Sequence, residues 1–351
     1  MERRDFIKAT ALGAAAATLA QGAKAQVPTT TQGGAVAPVG PVTSQIAQNP
    51  DMKYRELGIT GERVSLVGLG GFHLAKPGGP SADEAVRIVH AALEAGINFC
   101  DNCWDYNEGE SEVRLGRALA GGYRNRTFLM TKIDGRSAAA AMSQIDESLR
   151  RLQTDHLDLL QFHEIIRMDD PERVFAAGGA LEAVLRAREQ GKLRYIGFTG
   201  HKSPAIHNHM FAVAAQRQFH FDTVQMPLNV MDAHFDSFEQ GVLPTALGHG
   251  TGVLGMKTFG DPFILQSGVA TPIEMLHYSM SLPVSLQVCG IDSIKILDQA
   301  LEAVRTYAPL SAEQRAALLA RTADVAKDGK TERYKVSHHF DGTVQHPHWL
   351  G

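Results

Sequence analysis

Eight short apolar runs alternate with eight helix-patterned segments along most of the chain. The runs begin with VSLVGLGG at residues 64–71 and end with SLQVCGI at residues 285–291. Apolar strands joined by helices predict a parallel sheet that is buried on both faces. Eight such units predict a closed (β/α)8 TIM barrel, an α/β fold. VGLGGFH does not match the GxGxxG fingerprint, so an open Rossmann sheet is not favoured.

The amino terminus has the layout of an export signal. In residues 1–25, MERRDFIKATALGAAAATLAQGAKA, the pair Arg3-Arg4 precedes an apolar stretch with a small-residue ending. This arrangement is typical of a twin-arginine signal peptide, which directs folded proteins to the periplasm. The apolar stretch is too short for a membrane anchor. We therefore expect a periplasmic protein whose contact with the twin-arginine export machinery is transient.

Composition divides the rest of the chain into a linker and one domain. Residues 26–50 are rich in Pro, Gly, Thr and Gln, which predicts a flexible linker. Residues 51–351 are predicted to form the barrel, with a short N-terminal hairpin turning at Thr60-Gly61 and a C-terminal tail.

The charge and cysteine content exclude several classes of protein. The net charge is −4 and no basic tract is present, so nucleic-acid binding has no electrostatic support. No apolar run is long enough to span a bilayer. Three cysteines are too few for a disulfide framework.

Polar residues occur at the carboxyl ends of most predicted strands, where TIM barrels carry their chemistry. From the second strand to the seventh these are Asp101, Lys132, His163, Thr199, Gln225 and Lys257. Each residue alone has an ordinary structural explanation, but together they outline a site.

Three of these residues, together with Tyr106, predict chemistry at a carbonyl group. A buried Asp101 is expected to pair with Lys132, because an unpaired charge in an apolar strand is costly. Tyr106 follows the second strand, and a neighbouring ammonium would lower the pKa of its phenol. Such a tyrosine would serve as a proton donor. His163 could orient a carbonyl oxygen by hydrogen bonding.

The stretch FCDNCWDY at residues 99–106 leaves three interpretations of its cysteines. Strand alternation turns Cys100 away from Asp101 and toward the helices, whereas Cys103 lies nearer the pocket. A space-filling role is favoured, and a reversible disulfide in an oxidising periplasm is the alternative. A metal is not expected, since no second CxxC or spaced histidine pair completes four ligands.

The tail histidines are expected to be solvated or to fold over the barrel mouth: His338, His339, His346 and His348.

From about Tyr54 to its end the chain resembles the aldo-keto reductases. The matching segments are GINFCDNCWDYNEGESEVRLGRAL, FLMTKI, DESLRRLQTDHLDLLQFH, GKLRYIGFTG, TVQMPLN and GVLGMKTF. The resemblance implies that Tyr106 is the catalytic acid/base and that Lys132 lowers its pKa. It also implies that Asp101 holds Lys132 and that His163 orients the substrate. The expected reaction is hydride transfer between NAD or NADP and an aldehyde, ketone or alcohol, without a metal.

The same resemblance implies where the cofactor would lie. Gln225 and the segment Thr199-Gly200-His201 would hold the nicotinamide carboxamide, although many members have Ser-Asn in place of Thr-Gly. Met256-Lys257 follows the seventh strand, where Lys257 could reach the pyrophosphate. Three residues after the eighth strand would approach the adenosine: Gly290, Asp292 and Lys295. Asp292 would repel a 2′-phosphate, and the choice between NAD and NADP stays open.

Two other functions remain possible from the sequence. The barrel could be a catalytically weak nucleotide-binding or partner-docking scaffold, because fold does not dictate function. It could also be a thiol–disulfide protein that uses Cys100 and Cys103, although nothing in the sequence indicates an activated thiolate.

Overall fold

The computed structural model describes residues 41–351, and its centre is a closed barrel of eight parallel strands. A two-stranded antiparallel hairpin, β1 (Tyr54–Glu56) and β2 (Arg63–Ser65), precedes it. The barrel strands are β3 (Val67–Gly70), β4 (Phe99–Asp101), β5 (Phe128–Ile133), β6 (Leu157–Phe162), β7 (Leu193–Thr199), β8 (Thr223–Pro227), β9 (Gly252–Met256) and β10 (Leu286–Gly290). β10 pairs with β3 and closes the ring. The predicted (β/α)8 barrel and its hairpin are confirmed.

Helices surround the barrel and connect its strands. They are α1 (Ala82–Glu94), α2 (Glu110–Leu119), α3 (Ala138–Leu152), α4 (Asp170–Phe175), α5 (Ala180–Glu189), α6 (Pro204–Gln216), α7 (Phe238–Gly241), α8 (Leu243–Gly248), α9 (Phe263–Gln266), α10 (Pro272–Ser281), α11 (Ile294–Thr306), α12 (Ala312–Ala326), α13 (Arg333–Val336) and α14 (Gly342–Gln345). Serine side chains cap several of their N-termini; Ser81, for example, accepts a hydrogen bond from the Glu84 amide. No helix among residues 41–351 has the length and apolarity needed to cross a bilayer.

Buried apolar side chains form two layers. Inside the barrel, Phe99, Phe128 and Met130 pack with neighbouring strand residues, and Leu57 and Val64 of the hairpin region join the same cluster. A larger layer lies between the strands and the helices, and it includes Cys100. Phe99 and Cys100 therefore face opposite sides of β4, as strand alternation predicts.

The domain begins earlier than the composition predicts. Val42–Gln45 form a short 3-10 helix within the predicted linker, and Thr43 is buried. The Thr43 hydroxyl donates to Glu62 Oε2 at 2.6 Å, and the Thr43 amide donates to the same oxygen at 2.9 Å. Residues 41–50 thus include part of the folded domain. The predicted signal peptide and the rest of the linker lie outside the described residues.

The C-terminal tail packs against the loops that follow the barrel strands. The amides of Gly342 and Thr343 donate to the carboxylate of Glu164, just beyond β6. The amides of Arg136 and Ser137, beyond β5, donate to the carbonyl of Leu350. The tail therefore folds over the barrel mouth, and its four histidines are exposed to solvent: His338, His339, His346 and His348.

Candidate active site

Lys132 lies at the centre of the polar cluster at the carboxyl ends of β4 and β5. Its Nζ donates to Asp101 Oδ1 at 2.7 Å, to the carbonyl of Asn102 at 2.8 Å and to Tyr106 Oη at 3.2 Å. Lys132 and Asp101 are 1% and 2% exposed, respectively. A charge this deeply buried is tolerated only when it is paired and hydrogen-bonded, and all three donor hydrogens of the ammonium are used.

Gln225, in the middle of β8, completes the partners of Asp101. Its Nε2 donates to Asp101 Oδ2 at 2.6 Å, so each carboxylate oxygen has one donor. Gln225 Oε1 is buried and has no hydrogen-bond partner. Thr199 lies beside Gln225 in the register of β7 and β8. This corner of the barrel therefore presents an acceptor to a ligand.

Tyr106 is held in place by the loop after β4 and by two aromatic neighbours. It begins the short 3-10 helix Tyr106–Gly109, in which Asn107 and Glu108 have φ values of 52° and 57°. Its ring meets Phe72 edge-on at 5.4 Å and His163 edge-on at 5.8 Å, measured between centroids. Left-handed backbone at two successive residues other than glycine is costly and is found mainly at functional sites.

The predicted lowering of the Tyr106 pKa is wrong. Burial, followed by the negative charge of Asp101, raises the pKa of this phenol well above its ordinary value. Lys132 does contact the hydroxyl, but its charge is already balanced by Asp101, so the pair offers little net positive potential. Tyr106 is consequently protonated at neutral pH. That is the state a proton donor requires.

His163 lies against Asp134 and Cys103 rather than in an apolar setting. Its Nδ1 is 2.9 Å from Asp134 Oδ1, 3.2 Å from Cys103 Sγ and 3.6 Å from Asp105 Oδ1. Burial disfavours the charged imidazolium and would lower the pKa of His163. The negative charges of Asp105 and Asp134 together have the larger effect, so the pKa of His163 is raised. Burial also raises the pKa of Asp105 to about 7.

Several residues of the site were not predicted from the sequence. They are Asp105, Asp134, Arg136, Glu164 and Asp341. Asp105 and Asp134 follow β4 and β5 at the same barrel end as Lys132, so the strand-end pattern could have identified them. Arg136 pairs with Asp170, and Asp341 contacts His201. These partners are distant in sequence, so no local pattern identifies Arg136 or Asp341.

The cysteines give no support to the thiol–disulfide hypothesis. Cys100, Cys103 and Cys289 are all free and buried. Burial raises the pKa of Cys100 to about 12 and that of Cys103 well above its ordinary value. A thiol–disulfide exchange protein needs an accessible thiolate.

Lys257 has the surroundings expected of a group that binds an anion. It follows Met256, the last residue of β9, and has a φ of 62°. Its Nζ lies over the rings of Phe340 at 5.1 Å and Tyr334 at 5.7 Å. Burial lowers the pKa of Lys257. Within residues 41–351, no carboxylate lies within 4.0 Å of this ammonium.

Two other residues predicted to hold the cofactor after β7, Gly200 and His201, are in contact with other parts of the protein. Gly200 is in close contact with the Ile165 carbonyl, because a Cβ added there would overlap it. His201 Nε2 is 2.9 Å from Asp341 Oδ1 in the tail. His201 therefore contributes to the tail contact, and Thr199 and Gln225 are left as the nearest candidates for the carboxamide.

The positions after β10 are likewise in contact with other parts of the protein. The His73 ring lies against Gly290, where a Cβ would overlap it. Asp292 forms an ion pair with Lys76 at 2.6 Å, which cancels much of its repulsion toward a phosphate. Lys295 is exposed on α11.

Asp341 provides a pH-dependent test of the tail contact. Its carboxylate, which is buried, is 2.9 Å from both His201 Nε2 and Lys202 Nζ. Burial opposes its ionisation, but the hydrogen bonds from these two groups outweigh it and lower the pKa of Asp341 to about 2. A lowered carboxyl pKa stabilises the fold above the unfolded value of about 3.9, and this contribution disappears as the pH falls toward 2.

We therefore expect Asp341→Asn to reduce the free energy of unfolding by about 1–2 kcal/mol at pH 7, after allowance for solvent screening. The difference from wild type should shrink between pH 4 and pH 2. Urea unfolding at a series of pH values measures it. Asp324→Asn, on the exposed face of α12, is the control and should have no measurable effect. A difference that does not change with pH would contradict the tail contact.

Comparison with known proteins identifies the family. The model of the Aldo/keto reductase family matches residues 66–316, which is most of the chain. The chain belongs to the aldo-keto reductase family. A second model, that of the twin-arginine translocation pathway signal sequence, matches residues 1–20.

Curated relatives and solved structures agree with this family. L-galactose dehydrogenase of Arabidopsis thaliana is 35% identical over 42% of this chain and 49% of its own length. 6-dehydroglucose reductase of Novosphingobium aromaticivorans is 32% identical over 55% and 64%. The matches thus span about half to two thirds of these relatives.

Among solved structures, the holo form of aldo-keto reductase AKR11C1 from Bacillus halodurans is 25% identical to this chain, with a TM-score of 0.64. The match covers 80% of this chain and 99% of that chain. A thermostable aldo-keto reductase in complex with the inhibitor epalrestat is 22% identical, with a TM-score of 0.63 over 77% and 100%. At that identity the likeness concerns the fold alone.

Proposed function

We propose that the protein is an NAD(P)-dependent oxidoreductase that transfers hydride between a nicotinamide cofactor and an aldehyde, ketone or alcohol. The observation that carries this proposal is the 3.2 Å contact between Lys132 Nζ and Tyr106 Oη, made from within the buried Asp101–Lys132 pair. It places a protonated phenol beside a fixed ammonium at the barrel end where such enzymes carry their chemistry. Membership of the aldo-keto reductase family supports the same reaction class.

In the direction of reduction, Tyr106 donates its proton to the carbonyl oxygen. The phenolate that remains is stabilised by the hydrogen bond from Lys132, which Asp101 and Asn102 hold in position. The His163 ring meets the Tyr106 ring edge-on, and His163 is the residue proposed to orient the carbonyl. In alcohol oxidation the same phenolate takes up the proton, so one hydroxyl serves both directions.

The described residues fit a nicotinamide cofactor in two places. Gln225 Oε1 is a buried acceptor without a partner, which suits the carboxamide NH₂ group. Lys257 is a cation without a carboxylate within 4.0 Å among the described residues, which suits the pyrophosphate. Thr199 lies beside Gln225. When bound, the cofactor supplies or accepts the hydride.

The first test is a fluorescence titration of the purified protein with NADH and with NADPH. We expect saturable binding of at least one nucleotide, with a Kd between about 1 µM and 1 mM. The preferred nucleotide is then used to screen aldehydes, starting with hydroxylated ones, since two relatives are named for sugar substrates. If neither nucleotide saturates, the proposed function is wrong.

A second candidate function is a nucleotide-binding or partner-docking barrel with weak catalysis. The observation that favours it is the contact between His201 and Asp341, which engages a predicted cofactor residue with the tail. Saturable nucleotide binding without turnover of any aldehyde or alcohol would support this candidate over the reductase.

The site of action is proposed to be the periplasm. The match at residues 1–20 to a twin-arginine signal supports export of the folded chain. A cofactor acquired before export would have to stay tightly bound. Fractionating cells that express the full chain should place the processed protein in the osmotic-shock fraction. Unprocessed protein confined to the cytoplasm would contradict this location.

A further inference from the structure

Four potential metal ligands converge beside the proposed catalytic tyrosine. Cys103 and Asp105 follow β4, Asp134 follows β5 and His163 follows β6, so three adjacent strand ends supply them. One ligand atom from each residue lies within 4.8 Å of all the others. Cys103 and Asp134 are fully buried and His163 is 9% exposed. This is a mixed sulfur, nitrogen and oxygen set rather than a cluster of surface acids.

Hydrogen bonds alone do not satisfy this cluster. His163 Nδ1 has three close neighbours: Asp134 Oδ1 at 2.9 Å, Cys103 Sγ at 3.2 Å and Asp105 Oδ1 at 3.6 Å. A ring nitrogen carries at most one proton, so it can donate to only one of them. Asp134 Oδ2 is buried without a hydrogen-bond partner, and Asp105 has the Cys103 thiol as a hydrogen-bonding neighbour. An unpaired buried carboxylate oxygen is expensive, and a cation bound between Asp134 and its neighbours would remove that cost.

The neighbouring cations are committed to other acceptors. Lys132 donates to Asp101, Asn102 and Tyr106. Arg136 forms a buried ion pair with Asp170 at 3.0 Å and donates to backbone carbonyls, including those of Asp134 and His163. Neither side chain donates a hydrogen bond to the carboxylates of the cluster.

We propose that Cys103, Asp105, Asp134 and His163 form a binding site for a divalent metal ion, best suited to Zn²⁺. Zinc takes thiolate, imidazole and carboxylate ligands in tetrahedral geometry with bonds of about 2.0–2.3 Å. Ligand atoms in such a site lie about 3.2–3.8 Å from one another. The separations of 2.9, 3.2 and 3.6 Å from His163 Nδ1 lie close to that range. A divalent ion would pair with Asp105 Oδ1 and, by a small rotation, with either oxygen of Asp134.

The site gives His163 a defined tautomer. With a metal on Nδ1, the remaining ring proton lies on Nε2, which becomes a fixed donor. The proposal does not depend on the reductase activity, because it follows from the four ligands alone. It differs from the sequence-based expectation of no metal, which rested on the lack of a second CxxC or spaced histidine pair and on the resemblance to the aldo-keto reductases.

The test uses tag-free protein purified without chelator. After dialysis against micromolar Zn²⁺, elemental analysis should find about one zinc per chain. Replacement by Co²⁺ should give the intense visible bands of tetrahedral cobalt and a near-ultraviolet sulfur-to-cobalt band. Both signals report on the metal and not on catalysis.

Variants then assign the ligands. Cys103→Ser should abolish the sulfur-to-cobalt band, and Asp134→Asn should weaken Zn²⁺ binding by about 100-fold or more. Cys289→Ser is the matched control, since Cys289 is a buried free cysteine on β10 outside the cluster, and it should keep both signals. Circular dichroism verifies that each variant is folded. The proposal is overturned if folded wild type holds less than about a tenth of an equivalent, or if Cys103→Ser retains the sulfur-to-cobalt band.

Discussion

Tyr106→Phe is expected to lower the rate of carbonyl reduction by about 10³-fold, within the range attributed to a single general acid. The substitution removes only the hydroxyl, so the ring can keep its edge contacts with Phe72 and His163. Lys132 loses one acceptor but keeps Asp101 and Asn102. The active site should therefore stay assembled while its proton donor is missing.

The measurement is steady-state turnover of the best aldehyde at saturating nucleotide, combined with a nucleotide titration of the same protein. We expect kcat to fall while the nucleotide Kd changes less than about threefold. Tyr123→Phe, at an exposed tyrosine hydroxyl bonded to Glu94, is the control and should turn over normally. Turnover of Tyr106→Phe close to that of wild type would remove Tyr106 from the mechanism.

Lys132→Met has the largest expected effect on stability. It removes the partner of a buried carboxylate and leaves Asp101 with a single donor from Gln225. Breaking a buried ion pair on one side costs about 3–5 kcal/mol, because the other charge stays buried and uncompensated. Turnover should be lost as well, since the ammonium that stabilises the Tyr106 phenolate is gone. Urea unfolding and turnover assays measure the two effects.

The double variant Asp101→Asn with Lys132→Met separates the two roles of the pair. Removing both charges should recover a large part of the lost stability, since replacing a buried pair by neutral groups is often close to neutral. Activity should not return. Lys330→Met, which removes an exposed lysine, should leave both stability and activity unchanged. If the double variant is as unstable as Lys132→Met, then the ion pair is not the source of the effect.

Local patterns were sufficient to predict the barrel and to select the residues that meet at the centre of the candidate site. Each apolar strand and each helical period is recognisable within a short segment of sequence, so the eight strand-and-helix units could be counted directly. The rule that barrel chemistry lies at the carboxyl ends of the strands then selected Asp101, Lys132 and His163. The observed ion pair of Asp101 and Lys132 follows from the cost of burying either charge alone.

The remaining features depend on contacts between distant segments. Asp341 lies 140 residues beyond His201, so no window of sequence shows that the tail reaches this position. The direction of the Tyr106 pKa shift depends on a balance between burial and the Asp101–Lys132 pair, and only the assembled site reveals which prevails. Asp134 is the first residue after β5, so the strand pattern that selected Lys132 does not include it.

The central claim is that hydride passes between a nicotinamide and a carbonyl carbon at this site. It is tested most directly with NADH or NADPH deuterated at the transferable position, using the best aldehyde found in the screen. Proton NMR of the purified alcohol should show one deuterium on the carbinol carbon, with a proton from solvent on the oxygen. An alcohol product without deuterium on that carbon would contradict direct hydride transfer.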